Sequence, residues 1–361
     1  MLRRDFLGLA LMAGVTAACR RRPPAGDVGP PSVHTAWVGY AGTDRAPDVE
    51  PDGSKAMRAD VATRLARIDT RTRAVVTDVA LDAADRIGAL SFGEGALWAT
   101  ASSGAVLQLD PTSLKIRSRT AIPEVGPIAA GAGAIWVGGQ WGIHLSDRSR
   151  VVRGEPPADR MVVHRVDPNG TRVATVPLGF VPSFVVTLGG RVWAVSEWGS
   201  TEPALVEIDP ATNTVAHRIP FDGLTVVTHL TTGDGAVYAA SAPGPAGNGP
   251  ILRVDPVSRH VERISLSGRE YRTMRVVAGR GALWVSGDKH DPVLRVDATT
   301  GRRTEIRRCP YGTEVPMELA MNADGVWVTS SDRGRVYCVD ADSEEVDAEI
   351  QLPGPTSIVA A

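Results

Sequence analysis

The sequence predicts an all-β fold, a seven-bladed β-propeller with four antiparallel strands in each blade. Three observations lead to it. A motif centred on a large aromatic residue occurs seven times, at Trp37, Trp98, Trp136, Trp193, Tyr238, Trp284 and Trp327. One aspartate follows each aromatic, at Asp69, Asp110, Asp167, Asp209, Asp255, Asp297 and Asp340. The two ends of the chain carry complementary parts of one repeat. Repeats of about 40 to 45 residues with four strands each are typical of propeller blades.

The repeat around Trp284 shows why its segments are expected to be strands. Ala282 to Ser286 and Val293 to Val296 are short apolar runs bounded by Gly and Asp, a pattern typical of strands. Gly279-Arg-Gly281 suits a hairpin that needs positive φ. The Asp297 carboxylate can accept hydrogen bonds from the turn that follows it. Each repeat therefore has strand A before the glycines, strand B with the aromatic, strand C ending in Asp, and strand D after the turn.

The ends of the chain predict how the ring closes. Trp37 has no strand A before it, whereas residues Pro355 to Ala361 resemble a strand A with nothing after it. We expect the C-terminal strand to pair with the N-terminal blade and so to remove the free edges of an open array. The propeller is then expected to span residues 33–361.

The N-terminal segment predicts export and lipid anchoring. In residues 1–19, Arg3-Arg4-Asp5-Phe6-Leu7 resembles a twin-arginine export signal, and the apolar run after it is too short to span a bilayer. Val15 to Cys19 resembles a bacterial lipobox, in which the Cys becomes the lipid-bearing first residue. Residues 20–32 are interpreted as a flexible linker. The predicted location is the outer side of the bacterial cell membrane; the alternative is a cleaved signal in which Cys19 is incidental.

Composition excludes some classes of function. The chain has 361 residues, is 43% hydrophobic and 22% charged, and carries a formal net charge of −2, as expected of an ordinary globular protein. This balance argues against a nucleic-acid binder. Strand direction places Cys309 and Cys338 toward opposite faces, which disfavours a disulfide between them. Whether both are free thiols stays open in the sequence.

The variation between repeats predicts a binding face. Asp is followed by the next aromatic after 26 to 30 residues, whereas aromatic and Asp within a repeat are 12 to 32 residues apart. The insertions therefore fall between strands B and C, chiefly at 39–64 and 138–161. We call the side with the B–C and D–A connections the loop-rich face, and the side with the glycine hairpins and Asp turns the hairpin face. Variable loops on a rigid scaffold often carry function.

Six residues of the loop-rich face are candidates for ligand or partner binding. A loop Trp can anchor a partner, while Asp and His can ligate a metal, although packing within the loop and solvation are the alternatives. The candidates are Gln140, Trp141, Glu197, Trp198, Asp288 and His290.

A second candidate site is the mouth of the central channel. Aligning the A strands on their hairpins places seven residues in one ring: Ala89, Pro127, Phe184, His229, Arg275, Glu318 and Ser357. The three neighbours His229, Arg275 and Glu318 could form a general acid/base or anion site, because charged neighbours perturb pKa values. The alternative is an Arg–Glu pair that closes a wet channel. The strand B aromatics are expected to be core residues between blades.

Gly131-Ala-Gly-Ala-Ile-Trp136-Val and Arg253-Val-Asp255-Pro256 resemble the seven-bladed propellers of the YVTN and streptogramin B lyase-like group. In the lyases, inner-strand histidines and a glutamate act with a magnesium ion, so the resemblance implies a site at the channel. His229 is the one inner-strand histidine of this chain, and it does not follow a Pro as the lyase pattern requires. No catalytic residue is therefore assigned from the resemblance.

Two functional hypotheses follow. In the first, the protein is a non-catalytic binding or scaffold module, a monomer whose partner is a protein or cell-envelope ligand, or a small molecule at the channel mouth. In the second, it is a lyase or hydrolase acting at the channel mouth around His229, Arg275 and Glu318, with a divalent cation as its cofactor.

Overall fold

The computed structural model describes residues 34–42, 63–82, 85–123, 125–140, 156–196, 203–224, 226–242, 249–266, 271, 273–287, 291–306, 309 and 318–361. These residues form seven antiparallel sheets of four strands each. The strands are β1 Thr35–Tyr40, β2 Arg64–Asp69, β3 Ala74–Ala80, β4 Ile87–Gly93, β5 Ala96–Ala101, β6 Ala105–Leu109, β7 Ile116–Ala121, β8 Val125–Gly131, β9 Ala134–Gly139, β10 Val162–Val166, β11 Arg172–Pro177, β12 Pro182–Leu188, β13 Arg191–Ser196, β14 Ala204–Asp209, β15 Thr214–Pro220, β16 Val227–Gly233, β17 Ala236–Ser241, β18 Ile251–Val254, β19 Val261–Ile264, β20 Arg275–Gly279, β21 Ala282–Ser286, β22 Leu294–Asp297, β23 Arg303–Glu305, β24 Leu319–Asn322, β25 Gly325–Ser330, β26 Arg335–Val339, β27 Val346–Gln351 and β28 Pro355–Ala360.

The ring closes as the sequence predicts. Blade 1 has the strand order β28-β1-β2-β3, and blades 2 to 7 each consist of four consecutive strands. Trp37 lies opposite Val359 in the antiparallel pair of β1 and β28. The amide of Thr35 donates to the carbonyl of Ala361 at 3.0 Å, and the reverse bond is 2.8 Å long. The innermost strand of each blade contacts the innermost strands of the next and preceding blades, including β28 with β4 and β24. The predicted seven-bladed propeller is confirmed.

The seven aromatics of strand B form the core between blades, as expected. Each is at most 2% exposed. Trp193 of blade 4, for example, packs in one cluster with Leu230 and Val237 of blade 5. The indole N–H of Trp98 donates to the carbonyl of Gly93 at 3.1 Å, and two further Trp residues donate to the carbonyl five residues before them. The repeated Trp therefore joins two blades and also fixes its own hairpin.

The Asp turns between strands C and D are built as the sequence predicts. Oδ1 of Asp110 accepts from the amides of Thr112 at 3.0 Å and Ser113 at 2.7 Å. Equivalent bonds occur in the other six turns, at Asp69, Asp167, Asp209, Asp255, Asp297 and Asp340. The bond from the Ser113 amide, with the Arg117 guanidinium also contributing, lowers the pKa of Asp110 to about 2.

Acidification is expected to destabilise the propeller through these turns. The pKa of Asp110 is about 2 in the folded protein and about 3.9 in an unfolded chain. Because the folded value is lower, this contribution to stability is complete above about pH 4 and is lost as the pH falls toward 2. We expect Asp110→Asn to lower the free energy of unfolding by about 1 kcal/mol at pH 7 and to weaken its pH dependence.

Urea unfolding at pH 7 and pH 3 measures both effects. The control is Asp332→Asn, which changes an exposed carboxylate outside the Asp turns. An unchanged pH dependence in Asp110→Asn would contradict the assignment.

The two described cysteines are free thiols in different interfaces. Cys309 packs between blades 6 and 7, and Cys338 packs between blades 7 and 1. Burial raises the pKa of Cys309 to about 12. Burial also raises the pKa of Cys338.

The described part of the chain contains no helix long and apolar enough to cross a membrane.

Candidate functional site

Side chains of the hairpin face connect one blade to the next. The residue in the middle of a glycine hairpin reaches the following hairpin. Oε1 of Glu94 accepts from the amide of Gly133 at 3.0 Å, and Oδ2 of Asp234 accepts from the amide of Gly281 at 2.7 Å. Glu94 and Asp234 have positive φ values of 51° and 45°. These polar groups therefore stabilise the scaffold.

A second set of connections runs from strand C of one blade to the Asp turn of the next. Nε2 of Gln108 donates to the carbonyl of Pro168 at 2.9 Å. Nε of Arg259 donates to Oε2 of Glu207 at 2.8 Å, and the Glu207 side chain is only 2% exposed. Where blade 7 meets blade 1, Nδ1 of His34 lies 2.7 Å from Oδ2 of Asp324. These side chains of the hairpin face therefore hold neighbouring blades together.

The strand register places four of the seven ring residues at equivalent positions. His229 and Arg275 lie opposite Ala240 and Ser286, each two residues after the strand B aromatic. Phe184 and Ser357 pair in the same way with Val195 and Gly39. The ring therefore lies at the start of strand A, beside the B–C connections, and opens on the loop-rich face.

Hydroxyl groups and β-bulges set the ring in place. The Ala89 amide donates to Oγ1 of Thr100 at 3.0 Å, and the Glu318 amide donates to Oγ1 of Thr329 at 3.0 Å. Register shifts immediately before or at the ring residue occur in strands β4, β8, β12, β16 and β28. Bulges of this kind redirect a side chain where a strand begins. The sequence did not predict the bulges. Thr100 and Thr329, each two residues after a strand B Trp, were a signal for the register, because their hydroxyl groups accept from the ring residues.

Arg275 and Glu318 form an ion pair between blades 6 and 7. Nε of Arg275 donates to Oε1 of Glu318 at 2.7 Å, and Nη1 donates to the carbonyl of Met274 at 2.9 Å. Their side chains are 22% and 28% exposed, so the pair is partly shielded from water. The negative charge of Glu318 is thus compensated by its neighbour.

His229 completes the polar side of this group in blade 5. Its ring contacts Phe184 edge to face, with 5.1 Å between centroids. Nδ1 accepts from the Val276 amide at 3.4 Å, which leaves the proton on Nε2. Burial, with the Arg275 guanidinium as the second cause, lowers the pKa of His229 to about 3. Near neutral pH the imidazole is therefore uncharged, and its Nε2–H is a hydrogen-bond donor.

The ring has one polar and one apolar half. His229, Arg275, Glu318 and Ser357 follow one another on blades 5, 6, 7 and 1, and Ala89, Pro127 and Phe184 complete the circle on blades 2, 3 and 4. Ser357 is 8% exposed and its Oγ has no hydrogen-bond partner. The arrangement can present hydrogen bonds on one side of a bound molecule and apolar contact on the other.

One of the six loop candidates, Gln140, lies among the described residues. Gln140 directly follows β9 at the loop-rich face and is partly exposed. Trp141, Glu197, Trp198, Asp288, His290 and the lipidation residue Cys19 lie outside the described residues. Among the described residues there is no group of three or more His, Cys, Asp or Glu side chains that could hold a metal ion. The roles of all these candidates stay predictions.

The seven sheets define the class of the protein as a seven-bladed β-propeller. No protein-family model matches the chain, and no curated protein matches it. Among solved structures, apo AztD from Citrobacter koseri is similar with a TM-score of 0.60 and 16% identity over 91% of this chain and 97% of its own. Hydrazine synthase from Kuenenia stuttgartiensis gives a TM-score of 0.59 and 14% identity over 78% and 91%. A protein of unknown function from Desulfotomaculum acetoxidans gives 0.61 and 9% over 91% and 99%. At these identities the likeness shows the fold alone.

Proposed function

We propose that this protein is a lipid-anchored, extracytoplasmic binding module that recognises a protein or cell-envelope ligand through its loop-rich face, without catalysis. The observation that carries the proposal is the contrast between the faces. Side chains of the hairpin face connect neighbouring blades, as Glu94 and Asp234 do. The loop-rich face combines the long insertions with a channel mouth where polar groups are left available.

The channel mouth supports recognition better than proton transfer. Glu318 is paired with Arg275, and His229 is uncharged with its Nδ1 lone pair directed at a backbone amide. A general base needs a lone pair within reach of the substrate proton. The alternative, a lyase or hydrolase with a divalent cation, is favoured by the adjacency of His229, Arg275 and Glu318 alone. The enzyme hypothesis requires Glu318 for turnover, whereas the binding hypothesis assigns no catalytic role to Glu318.

Site-specific photocrosslinking in intact cells tests the binding face. Asp332 is exposed in the B–C turn of blade 7, at the loop-rich face. Val257, which is 82% exposed in the C–D turn of blade 5, is the matched position on the hairpin face. We expect a photoreactive residue at position 332 to give discrete adducts and one at position 257 to give none. Adducts from position 257 alone would contradict the assignment of the face.

Lipid anchoring has its own test. We expect Cys19→Ala to abolish incorporation of radiolabelled palmitate and to release the protein from the membrane fraction, because the acylated residue would be lost. Cys309→Ala is the control, since that thiol is buried in the propeller. Membrane retention of Cys19→Ala would contradict the anchor.

A further inference from the structure

We propose that the channel mouth binds an uncharged amide group bearing an apolar substituent, held between the polar and apolar halves of the ring. This inference rests on the proposed binding function and names the chemistry recognised at the centre of the loop-rich face.

The first step concerns charge. The polar half contains one cation, Arg275, and one anion, Glu318, in contact at 2.7 Å. His229 adds no charge near neutral pH, and Ser357 adds none. A charged ligand would lose hydration on entering this partly buried mouth and would gain no uncompensated opposite charge. The charge balance therefore favours a neutral ligand.

The second step concerns the free hydrogen-bonding groups. Nε and Nη1 of Arg275 are used by Glu318 and Met274, and Nδ1 of His229 is used by Val276. Nη2–H of Arg275 and Nε2–H of His229 are not used by these contacts and are donors. Oε2 of Glu318 is likewise an unused acceptor.

One amide group can satisfy two donors on neighbouring blades and the acceptor on the next blade. An amide offers a carbonyl oxygen with two acceptor sites and an N–H donor beside it. The carbonyl oxygen would accept hydrogen bonds from Nε2–H of His229 and Nη2–H of Arg275, and the amide N–H would donate to Oε2 of Glu318. A carboxylate lacks the donor, and an ammonium lacks the acceptor.

The third step concerns the apolar half. Phe184 lies edge to face with His229 at 5.1 Å, so its ring adjoins the donors. Ala89 and Pro127 continue the apolar arc on the two preceding blades. Burial of a substituent of about the size of a leucine side chain against this arc would strengthen binding, because apolar surface would leave water.

The test is a titration of the full-length protein with four small probes at pH 6.5, followed through the His229 ring signals in nuclear magnetic resonance spectra. The chain has only 7 histidines, and His229→Gln assigns the signal. The probes are N-acetylleucine amide, N-acetylleucine, leucine amide and N-acetylglycine amide. We expect the first to bind roughly tenfold more tightly than each of the others.

Removal of the Glu318 charge should change which probe the protein binds most tightly. In Glu318→Gln the Arg275 cation is no longer compensated, so N-acetylleucine, which carries a carboxylate, should become the preferred probe. Glu94→Gln is the control, because it makes the same charge change on the hairpin face. Phe184→Ala should weaken binding of N-acetylleucine amide and leave N-acetylglycine amide nearly unaffected.

The same chemistry could come from a peptide chain or from a small amide. A tripeptide with leucine at its centre and both ends capped distinguishes them: tighter binding than N-acetylleucine amide assigns a peptide segment, and equal or weaker binding assigns a small molecule. The proposal is overturned if a charged probe binds the parent protein best, if Glu318→Gln keeps the original preference, or if no probe shifts the His229 signals. None of these outcomes bears on the photocrosslinking or palmitate experiments, so the proposed function is judged separately.

Discussion

Removal of residues 355–361 is expected to abolish the cooperative unfolding transition of this protein. These residues include β28, the innermost strand of blade 1. Val359 packs in the cluster that joins blades 1 and 2, whereas Ile358 packs in the cluster between blades 7 and 1. The truncation would therefore open two blade interfaces at once and expose the hydrogen-bonding edge of β1. An array open at this position cannot bury Trp37 as the closed ring does.

Thermal unfolding followed by calorimetry and tryptophan fluorescence measures this effect. The matched control is a circular permutant in which residue 361 is joined to residue 33, so that two residues connect the paired residues Ala361 and Thr35 as in the other hairpins, and new ends are placed at Val257, which is 82% exposed. It keeps every strand and closes the hairpin that blade 1 lacks, so we expect it to unfold cooperatively. A truncated protein that melts like the parent would show that β28 is dispensable for closure.

Gly233→Ala is expected to destabilise the propeller by about 3 kcal/mol, near the upper end for inserting atoms into a packed interior. Gly233 ends the innermost strand of blade 5, where the backbone of blade 6 comes close. A Cβ atom there would meet the Ala278 carbonyl, with its carbon 2.6 Å away. The backbones of two packed blades cannot move apart at this point without disturbing other contacts between them. The steric clash therefore cannot be relieved by a local movement.

Gly279→Ala supplies the comparison at the equivalent position of blade 6. Its Cβ would meet the sulfur atom of Met321 at 2.8 Å. Met is unbranched and flexible, so it can move aside at a small cost. Urea unfolding of the two variants against the parent protein measures the difference in free energy. An equal decrease in the free energy of unfolding of the two variants would show that contact with the Ala278 backbone is not the cause of the destabilisation in Gly233→Ala.

How far the sequence predicts the candidate site depends on which contacts form it. The alignment of hairpins placed His229, Arg275 and Glu318 on one ring, because each belongs to a repeat whose register follows from its own aromatic and turn. Their mutual bonds could not be predicted, since Arg275 and Glu318 are 43 residues apart and meet only when two blades pack. The loop candidates Trp141 and Trp198 remain predictions, because their segments contain no repeat that fixes their position.

The sequence by itself determined the number of blades, the four strands in each, and the closure of the ring by Pro355 to Ala361. The number of blades and strands depends on local patterns, apolar runs and turn residues within repeats of about forty residues. The closure could be predicted because the two ends of the chain carry complementary parts of one repeat. The tertiary structure alone decided that Glu94 and Asp234 connect neighbouring blades, that Arg275 neutralises Glu318, and that Nδ1 of His229 accepts from the Val276 amide. The physical reason is that each of these contacts crosses a blade interface. His34 and Asp324, whose side chains meet where blade 7 contacts blade 1, are 290 residues apart in the sequence.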